Sequence, residues 1–428
     1  MNKFVLFAVG CCLAGAPAAA QTCSRSAVDA VDSLLTGITV RHLGPGTMSG
    51  RVTAIAVERH RPHILYVGTA SGGLWRSTTA GTTWEPLFDD GPTASIGAVA
   101  LAPSNPDVLW IGTGEGNPRN SHNSGRGVFR SIDGGATWSC MGLEGTRTIH
   151  RIVIHPTDPN RVWVAATGSA WGDSPDRGVY RTTDGGATWK RVLYVDERTG
   201  AADLIADPSN PDKLFCAMWS HRREPWFFRS GGDGSGLYVT HDGGTNWKRL
   251  GEDGGLPAGE LGRIGLTMSA ADPDRVYALV ESVKNGLYRS EDGGASWSLV
   301  TEKNIGSRPF YYAEIHADPH TPDRLFNLHS MVELSEDGGK TFTTLLPYSG
   351  VHPDHHAFYI HPDDPTFLID GNDGGLNISR DGGDTWTFIN NLPVGQFYHI
   401  AVDDATPYRI YGGPVSYTHL TLPTNREV

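Results

Sequence analysis

The stretch Ser131-Ile132-Asp133-Gly134-Gly135-Ala136-Thr137-Trp138 decides the fold, because close copies of it recur along most of the chain. Asp followed by two glycines is a tight-turn signal, since glycine accepts a positive φ and the Asp carboxylate can accept hydrogen bonds from nearby backbone N–H groups. The terminal Trp re-enters a sheet, where its large ring can be buried between neighbouring units. The stretch therefore predicts a turn held by polar contacts and anchored by an aromatic ring.

Six further copies occupy residues 77–84, 182–189, 240–247, 290–297, 335–342 and 379–386. Thr79 replaces the aspartate in the first copy, and Phe342 replaces the tryptophan in the sixth. Neighbouring aspartate positions lie 44 to 58 residues apart, and a period in this range is typical of a repeat architecture. Since no reaction needs the same carboxylate seven times around a ring, we predict that the aspartates stabilise their turns rather than bind calcium or act as catalytic acids: Asp133, Asp184, Asp242, Asp292, Asp337 and Asp381.

Each unit carries the same series of short apolar runs. In the second unit, residues 96–101, 108–112 and 127–131 predict three strands, and a fourth follows the turn. Pro- and Asp-rich turns separate the runs, as in all-β proteins. A four-stranded unit repeated seven times predicts an all-β fold, a β-propeller of seven blades.

The C-terminal part begins an eighth unit at residues 396–402 and 408–412. This unit would either complete the first blade or open a second domain. We assign residues 38–413 to the propeller. Residues 414–428 carry neither the turn motif nor a strand alternation, and they are predicted to be a non-native tail on a fragment of a longer protein.

The N-terminal part predicts export. Lys3, an apolar run over residues 4–16 and Ala18-Ala19-Ala20 form the pattern of a signal peptide over residues 1–20, cleaved near Ala20. The apolar run is too short to span a membrane. A lipid anchor on Cys11 or Cys12 is the alternative. Residues 21–37 then form a linker, and the mature protein is expected to be secreted or periplasmic.

Composition narrows the functional classes further. The chain has 428 residues with 54 Gly and 27 Pro, and its net charge is −12, which argues against a nucleic-acid partner. Cleavage would leave Cys23, Cys140 and Cys216, an odd number that permits at most one internal disulfide. Cys23 and Cys140 are the candidate pair, whereas Cys216 lies in an apolar run and is predicted to be in the core. No cofactor is expected.

The loops predict where a ligand would bind. In an antiparallel four-stranded blade, the first and third loops share one face, so the second loops and the inter-blade connections lie on the other. Three long second loops, residues 113–123, 169–173 and 219–228, are sequential and should crowd one rim. Trp beside charged and polar side chains is typical of a surface that binds a sugar or peptide, although packing of the loops on one another is the alternative. The candidate binding residues are Glu115, Arg119, Trp171, His221, Arg222 and Trp226.

The seventh blade supplies a second group of candidates. His352, His355 and His356 lie in the connection into this blade, and Asp370 and Asp373 lie in its second loop. These are suitable ligands for a transition metal, and ordinary hydrogen-bonded loop residues are the alternative. Asp370 and Asp373, together with Glu115 of the second blade, are also the candidate catalytic acids.

The repeated stretch resembles the Asp box, or BNR repeat, S-x-D-x-G-x-T-W. Together with the blade pattern and the export signal, it makes residues 38–413 similar to bacterial secreted propellers of the sortilin (Vps10) N-terminal type. This resemblance implies the propeller fold and leaves the chemistry open, since Asp-box propellers include enzymes, receptors and assembly factors. Sialidases are also similar in their boxes, but the Arg-Ile-Pro motif expected in the first blade is absent, and Arg51-Val52-Thr53 stands near that place.

A more distant resemblance is to two-propeller xyloglucan glycosidases. Their first catalytic aspartate lies in a Thr-Asp-x-Gly-Gly motif, and the matching residues here are Thr69-Ala70-Ser71-Gly72-Gly73. Ala70 therefore stands where the carboxylate is expected, whereas glycoside hydrolysis ordinarily needs two carboxyl groups. We predict a binding propeller for a peptide, protein or carbohydrate ligand, without a membrane span. The alternative is a glycosyl hydrolase that uses other acids.

Overall fold

The computed structural model describes residues 49–118, 122–395, 397–406, 408–414 and 420–422. Seven antiparallel sheets follow one another along the chain, each built from consecutive strands. In these residues, helix is limited to two short 3-10 turns, Glu144–Thr146 and Glu252–Gly254. The predicted all-β fold, a propeller of seven four-stranded blades, is confirmed.

The strands are short, several are buried along their whole length, and four consecutive antiparallel strands form the common unit of each blade. Blade one contains β1 (Val52–Val57), β2 (Leu65–Thr69), β3 (Leu74–Ser77) and β4 (Glu85–Pro86). Blade two contains β5 (Ile96–Ala102), β6 (Asn105–Thr113), β7 (Val128–Ser131) and β8 (Ser139–Cys140). Blade three contains β9 (Ile149–Ile154), β10 (Val162–Ala166), β11 (Gly178–Thr182) and β12 (Lys190–Leu193).

Blade four has an additional strand and contains β13 (Thr199–Asp207), β14 (Asn210–Glu224), β15 (Phe227–Ser230), β16 (Gly236–Thr240) and β17 (Lys248–Leu250). Blade five contains β18 (Ile264–Ser269), β19 (Asp272–Val280), β20 (Gly286–Ser290) and β21 (Ser298–Thr301). Blade six contains β22 (Glu314–Ala317), β23 (Leu325–Leu328), β24 (Val332–Ser335) and β25 (Thr343–Leu346). Blade seven contains β26 (His355–His361), β27 (Asp364–Asn372), β28 (Gly375–Ser379) and β29 (Thr387–Phe388).

The first strand of each blade lies at the centre of the ring. These strands contact one another in succession from β1 to β26, and β26 also contacts β1. An apolar cluster joins blades seven and one through side chains such as Val67 and Ile369. Ser49 N donates a hydrogen bond to Gly374 O at 2.9 Å, so the ring is closed between its first and last blades.

The Asp box of blade two shows how each turn is built. The Asp133 carboxylate accepts hydrogen bonds from Thr137 N at 2.9 Å, Thr137 Oγ1 at 2.6 Å and Ser131 Oγ at 2.7 Å. These bonds, those from Thr137 foremost, lower the pKa of Asp133 to about 2. Gly134 N donates to Asp107 O at 3.0 Å, so the box lies on the same face as the first loop of its blade.

The box tryptophan connects neighbouring blades. Trp138 Nε1 donates to Leu87 O of blade one at 2.8 Å, and its ring packs edge-on against Phe88 with centroids 5.7 Å apart. The same carboxylate contacts recur, with the pKa held at about 2, in five other boxes: Asp184, Asp242, Asp292, Asp337 and Asp381. In the degenerate first box, Thr79 Oγ1 accepts from Thr83 N at 2.8 Å, so a hydroxyl replaces part of the carboxylate's role.

The eighth unit forms a separate sheet from β30 (Phe397–Val402), β31 (Ile410–Pro414) and β32 (Leu420–Leu422). The alternative that it completes the first blade is wrong, because β1 to β4 already supply all four strands of that blade. Strand β32 pairs with β31, so part of the 414–428 segment continues a sheet although no strand was expected there. The signal peptide and the linker lie outside the described residues.

The cysteines lie in different environments. Cys216 is fully buried and free, as expected for a core residue, and burial raises the pKa of its thiol. Cys140 is disulfide-bonded, whereas Cys23 lies outside the described residues, so their pairing stays a prediction. No helix in the described part of the chain is long and apolar enough to cross a membrane.

Candidate ligand-binding site

The second loops of blades three and four meet at one rim. Arg223 N donates to Ala170 O at 2.7 Å, and Arg222 Nη1 lies 3.3 Å from Asp173 Oδ1. The segment 219–228 is not the loop that was expected, because β14 continues to Glu224 and turns back through β15 as a hairpin. This hairpin extends blade four past its neighbours and forms one wall of a pocket.

The pocket has a volume of about 260 Å³. Blade three and its connection to blade four contribute Asp173, Asp196 and Arg198. Blade four contributes the rest of the lining: Ser220, His221, Arg222, Phe227, Arg229, Gly231, Gly232, Asp233 and Gly234. Two of the predicted binding residues, His221 and Arg222, therefore line one cavity together with three carboxylates and two more arginines.

His221 is held in one position and one protonation state. Its ring stacks on Trp219 with centroids 4.2 Å apart and planes 12° from parallel. Arg177 Nη1 lies 3.2 Å from His221 Nδ1, and because guanidinium groups only donate, Nδ1 accepts and Nε2 carries the ring proton. Burial and then the charge of Arg177 lower the pKa of His221 well below its ordinary value, so the imidazole is neutral.

Arg177 lies behind His221 and is completely buried. Its guanidinium donates to three backbone carbonyls of blade three, Thr167 O at 3.0 Å, Ser169 O at 2.6 Å and Gly172 O at 3.1 Å. Within the described residues it forms no ion pair with a carboxylate, and burial lowers its pKa to about 10. A buried cation, which among the described residues hydrogen-bonds only neutral groups, therefore lies behind the His221 wall of the pocket.

The remaining predicted rim residues differ in exposure. Trp226 lies at the tip of the β14–β15 hairpin and is 79% exposed, next to Phe227, which is 47% exposed. Trp171 is half-buried in the neighbouring loop. Arg222 pairs with Glu224 at 2.9 Å as well as with Asp173. Arg119 lies outside the described residues.

Glu115 faces the centre of the ring instead of the rim. Its carboxylate pairs with Arg51 Nη1, and Arg51 also pairs with Asp373 of blade seven. All three side chains are almost completely buried. Burial alone would raise the pKa of Asp373, but His356 and Arg51 hold it far below its ordinary value. The two acids are therefore partners of one buried arginine.

The blade-seven histidines each have a separate partner. His355 Nδ1 lies 2.7 Å from Asp370 Oδ1, and His356 Nε2 lies 2.9 Å from Asp373 Oδ1. His352 Nδ1 donates to the adjacent Pro353 O. Among the described residues, no group of three or more His, Cys, Asp or Glu side chains is placed to hold a metal ion. The structure thus does not bring the three histidines together as ligands.

A buried polar network, which sequence reasoning missed, continues from these residues around the centre. Asn117 contacts His356 at 3.1 Å and Arg263 at 2.9 Å. Arg263 lies 3.0 Å from His150, and Glu314 accepts from Arg151 and lies 3.1 Å from His150. Every blade contributes to this network, blade four through Asp203, which pairs with Arg151 at 3.0 Å. Glu115 and Asn117 follow the second strand of blade two, whereas His150, Asp203 and His356 lie in the first strands of theirs, so no single repeat position marks the network in the sequence.

The fold is a seven-bladed β-propeller whose blades carry the repeated Asp-box turn. Residues 126–255 match the family Sortilin-Vps10, described as sortilin, neurotensin receptor 3. A Paenibacillus xyloglucanase is 24% identical over 412 residues, covering 87% of this chain and 35% of that protein. An oligoxyloglucan-reducing end-specific xyloglucanase of Emericella nidulans is 25% identical, covering 84% of this chain and 37% of that protein. The chain thus spans little more than a third of the length of these two relatives.

Solved structures show the same fold. The GH74 xyloglucanase of Xanthomonas campestris has a TM-score of 0.62 at 18% identity, covering 87% of this chain and 59% of that one. YCF48 bound to D1 peptide has a TM-score of 0.53 at 16% identity, covering 80% of this chain and 99% of that one. The predicted similarity to sortilin-type propellers, and more distantly to xyloglucan glycosidases, is confirmed.

Proposed function

We propose that this propeller binds a glycan through the pocket between blades three and four. The observation that carries the proposal is the combination of charged hydrogen-bonding groups with one exposed aromatic ring, Phe227, in the pocket lining, next to the exposed Trp226 at the tip of the same hairpin. Sugar rings stack on aromatic faces with their apolar sides, and their hydroxyls bind carboxylates and guanidinium groups. The exposed Trp and Phe at one hairpin tip also form a hydrophobic patch, and such patches often mark binding sites.

The similarity to xyloglucanases supports a glycan over a peptide as the ligand. YCF48, whose structure is described as bound to D1 peptide, supports peptide or protein binding, but its likeness lies in the fold alone. Glycan binding is therefore the first proposal, and peptide or protein binding is the alternative that the experiment below must separate.

A second candidate function is glycoside hydrolysis. It is favoured by one observation, that Asp173, Asp196 and Asp233 line the same pocket, since hydrolysis ordinarily needs two carboxyl groups near the bond that is cleaved. The catalytic acids that the sequence suggested are less suitable, because each is buried and already paired. Glu115 and Asp373 share a buried arginine, and Asp370 is fully buried against His355.

The proposed site fits an exported protein that meets polysaccharides outside the cell. The export signal lies in residues 1–20, outside the described part of the chain, and is a separate proposal. Mass spectrometry of the protein expressed with its own N-terminus would test it, since cleavage near Ala20 should remove the first 20 residues.

The binding test uses calorimetry with soluble polysaccharides, both neutral and acidic, and with short peptides as a comparison. We expect binding to at least one polysaccharide, and Trp226→Ala should weaken it at least tenfold because a stacked aromatic ring is lost. Tyr348→Ala is the matched control, since Tyr348 is 59% exposed in the connection between β25 and β26, on the same face but in a distant blade. This control should keep the affinity.

Three outcomes would count against the proposal. The first is that no polysaccharide binds, the second is that a peptide binds more tightly than any polysaccharide, and the third is that Trp226→Ala binds as well as Tyr348→Ala. The hydrolase candidate is tested in the same samples by the release of reducing ends. Asp196→Asn should abolish that release, whereas the Trp226 variant should reduce binding and release together.

A further inference from the structure

The arginines of the rim pocket are not all neutralised by the protein. Arg222 pairs with Asp173 and Glu224. Arg229 has its nearest carboxylate, Glu260, at 4.0 Å, which is at the limit of an ion pair. Arg198 is exposed, and within the described residues its side chain forms no hydrogen bond or ion pair. Two cationic groups at the pocket edge are therefore available to a ligand.

The back wall adds a third cation. Arg177 is buried behind His221, and within the described residues its hydrogen bonds go to three backbone carbonyls and the imidazole, while the carboxylates of Asp173 and Asp196 attract it without an ion pair. A buried charge without an opposite partner is costly, and the low dielectric of the surroundings lets its field extend further than in water. A ligand anion in the pocket would offset this cost, whereas a neutral ligand would not.

His221 supplies a hydrogen-bond donor in the lining of the same pocket. Because Arg177 donates to Nδ1, the proton of the neutral ring is on Nε2, and stacking on Trp219 fixes the ring plane. A neutral donor beside a buried arginine suits a carboxylate, which only accepts when it is ionised. Because the imidazole is uncharged, it does not repel the neighbouring arginines.

The other lining groups define the rest of the ligand. Asp173, Asp196 and Asp233 can accept hydrogen bonds from hydroxyl groups, and Phe227 offers an apolar surface for a ring. A volume of about 260 Å³ lies just below the roughly 300–1,000 Å³ that is typical of small-molecule pockets, so it suits one sugar ring and not a folded segment. An acidic peptide would bring carboxylates but few hydroxyl donors for the acceptors that Asp173, Asp196 and Asp233 offer beyond their contacts within the protein.

We propose that the pocket binds a uronate residue of an acidic glycan, with its carboxylate between His221 Nε2–H and the guanidinium groups of Arg198 and Arg229. The ring hydroxyls face the aspartates, and the ring lies against Phe227. This inference rests on the proposed function and narrows it from glycans in general to glycans that carry carboxylates.

The test compares each acidic oligosaccharide with its own neutral form. Trimers of galacturonate, glucuronate and mannuronate, their carboxyl-reduced counterparts and tri-glutamate are titrated by calorimetry at low ionic strength. At least one uronate trimer should bind at least tenfold more tightly than its reduced form, and tri-glutamate should bind no better than the reduced sugars. Added salt should weaken uronate binding, because it screens the exposed arginines.

One variant in the pocket and one control variant test whether the preference for uronate over the reduced sugar arises in the pocket. Arg198→Gln should weaken uronate binding at least tenfold while changing the affinity for the reduced sugar less than twofold. Arg61→Gln is the control, since Arg61 is also exposed but lies in the first loop of blade one, on the Asp-box face. It should alter neither affinity.

The outcomes separate this inference from the function on which it rests. Equal affinities for acidic and reduced trimers would overturn the uronate inference and leave glycan binding in place. Tri-glutamate binding as tightly as a uronate trimer would overturn the assignment to a sugar, and an unchanged Arg198→Gln variant would overturn the placement. Binding to no glycan, acidic or neutral, would overturn both proposals.

Discussion

The substitution Glu314→Gln tests the central polar network. The Glu314 carboxylate accepts a hydrogen bond from Arg151, lies 3.1 Å from His150 Nε2 and lies 3.7 Å from Arg263 Nη2. Burial alone would raise the pKa of Glu314, but the charge of Arg151 and the contact with His150 hold it far below its ordinary value. Burial, and then the charge of Arg151, lower the pKa of His150 to about 3, so the imidazole is neutral and the carboxylate balances the two arginines.

Glutamine keeps the shape of the side chain and removes its charge. Arg151 would retain Asp203 at 3.0 Å, but Arg263, whose side chain is 2% exposed, would lose the one carboxylate within ion-pair distance of it in the described residues. Removing one partner of a buried pair typically costs about 3–5 kcal/mol. We expect Glu314→Gln to lower the free energy of unfolding by about this amount at neutral pH.

The assay is urea denaturation followed by tryptophan fluorescence. Glu336→Gln is the matched control, since Glu336 is 74% exposed and lies 3.8 Å from Arg324 at the surface, where an ion pair contributes about 0–1 kcal/mol. Equal denaturation midpoints for the two variants would refute the reasoning, because the network would then contribute no more than a surface pair.

The pH dependence of the same variant has a defined sign. The pKa of Glu314 is lower in the folded protein than the roughly 4.3 of an unfolded glutamate, so the stability it contributes is complete above about pH 5 and declines as the pH falls. The stability difference between wild type and Glu314→Gln should therefore be largest at neutral pH and smaller at pH 3. A difference that grows on acidification would contradict the assignment of an ionised Glu314.

Two further predictions concern the blades. Asp184→Ala should lower stability by about 1–3 kcal/mol, because three donors of its box lose their acceptor, while glycan affinity on the opposite face, measured by calorimetry, stays unchanged; weaker binding at full stability would contradict a structural role. Gly97→Ala should destabilise the protein by about 1–3 kcal/mol or more, because its Cβ would lie 2.1 Å from Gly114 O and 2.3 Å from Ile149 O. Gly251→Ala is the control, since the nearest atom to its Cβ would be 3.4 Å away. Its free energy of unfolding, measured by urea denaturation, should stay within about 0.5 kcal/mol of wild type.

The sequence predicts the features of this fold that depend on local contacts. The contacts of Asp133 lie within eight residues of chain, so one copy of the motif shows the whole turn and its repetition shows the ring. Local reasoning could not find the partner of Glu115 or of Asp373, because Arg51 lies 64 residues from the first and 322 residues from the second. An acid in a glycine-rich loop has the same sequence pattern whether it faces solvent or a buried arginine.

The rim pocket was predicted only in part. His221 and Arg222 were found because long second loops must share a face, but β15 was missed because its residues are exposed or half-buried and show no core-facing alternation. Arg177 was missed for a different reason. It precedes a third strand as an ordinary charged residue, and only the packing of the blade-three loop around it shows that it is buried and that no carboxylate pairs with it in the part of the chain that the structure describes.

The arginine at the centre of the ring is paired with carboxylates, whereas arginines at the rim are less fully paired. This difference is the reason that we place the proposed ligand at the rim. At the centre, Arg51 already balances Glu115 and Asp373. Ala70, at the position where xyloglucan glycosidases are expected to carry an aspartate, is buried, and its N donates to Arg51 O at 3.0 Å. An aspartate at this position would be buried as well, and burial raises the pKa of a carboxyl group, so we do not expect a single substitution to give an ionised catalytic acid there. At the rim, by contrast, Arg198 is exposed and, within the described residues, neither Arg198 nor Arg177 forms an ion pair with a carboxylate, so an incoming anion can pair with a cation there.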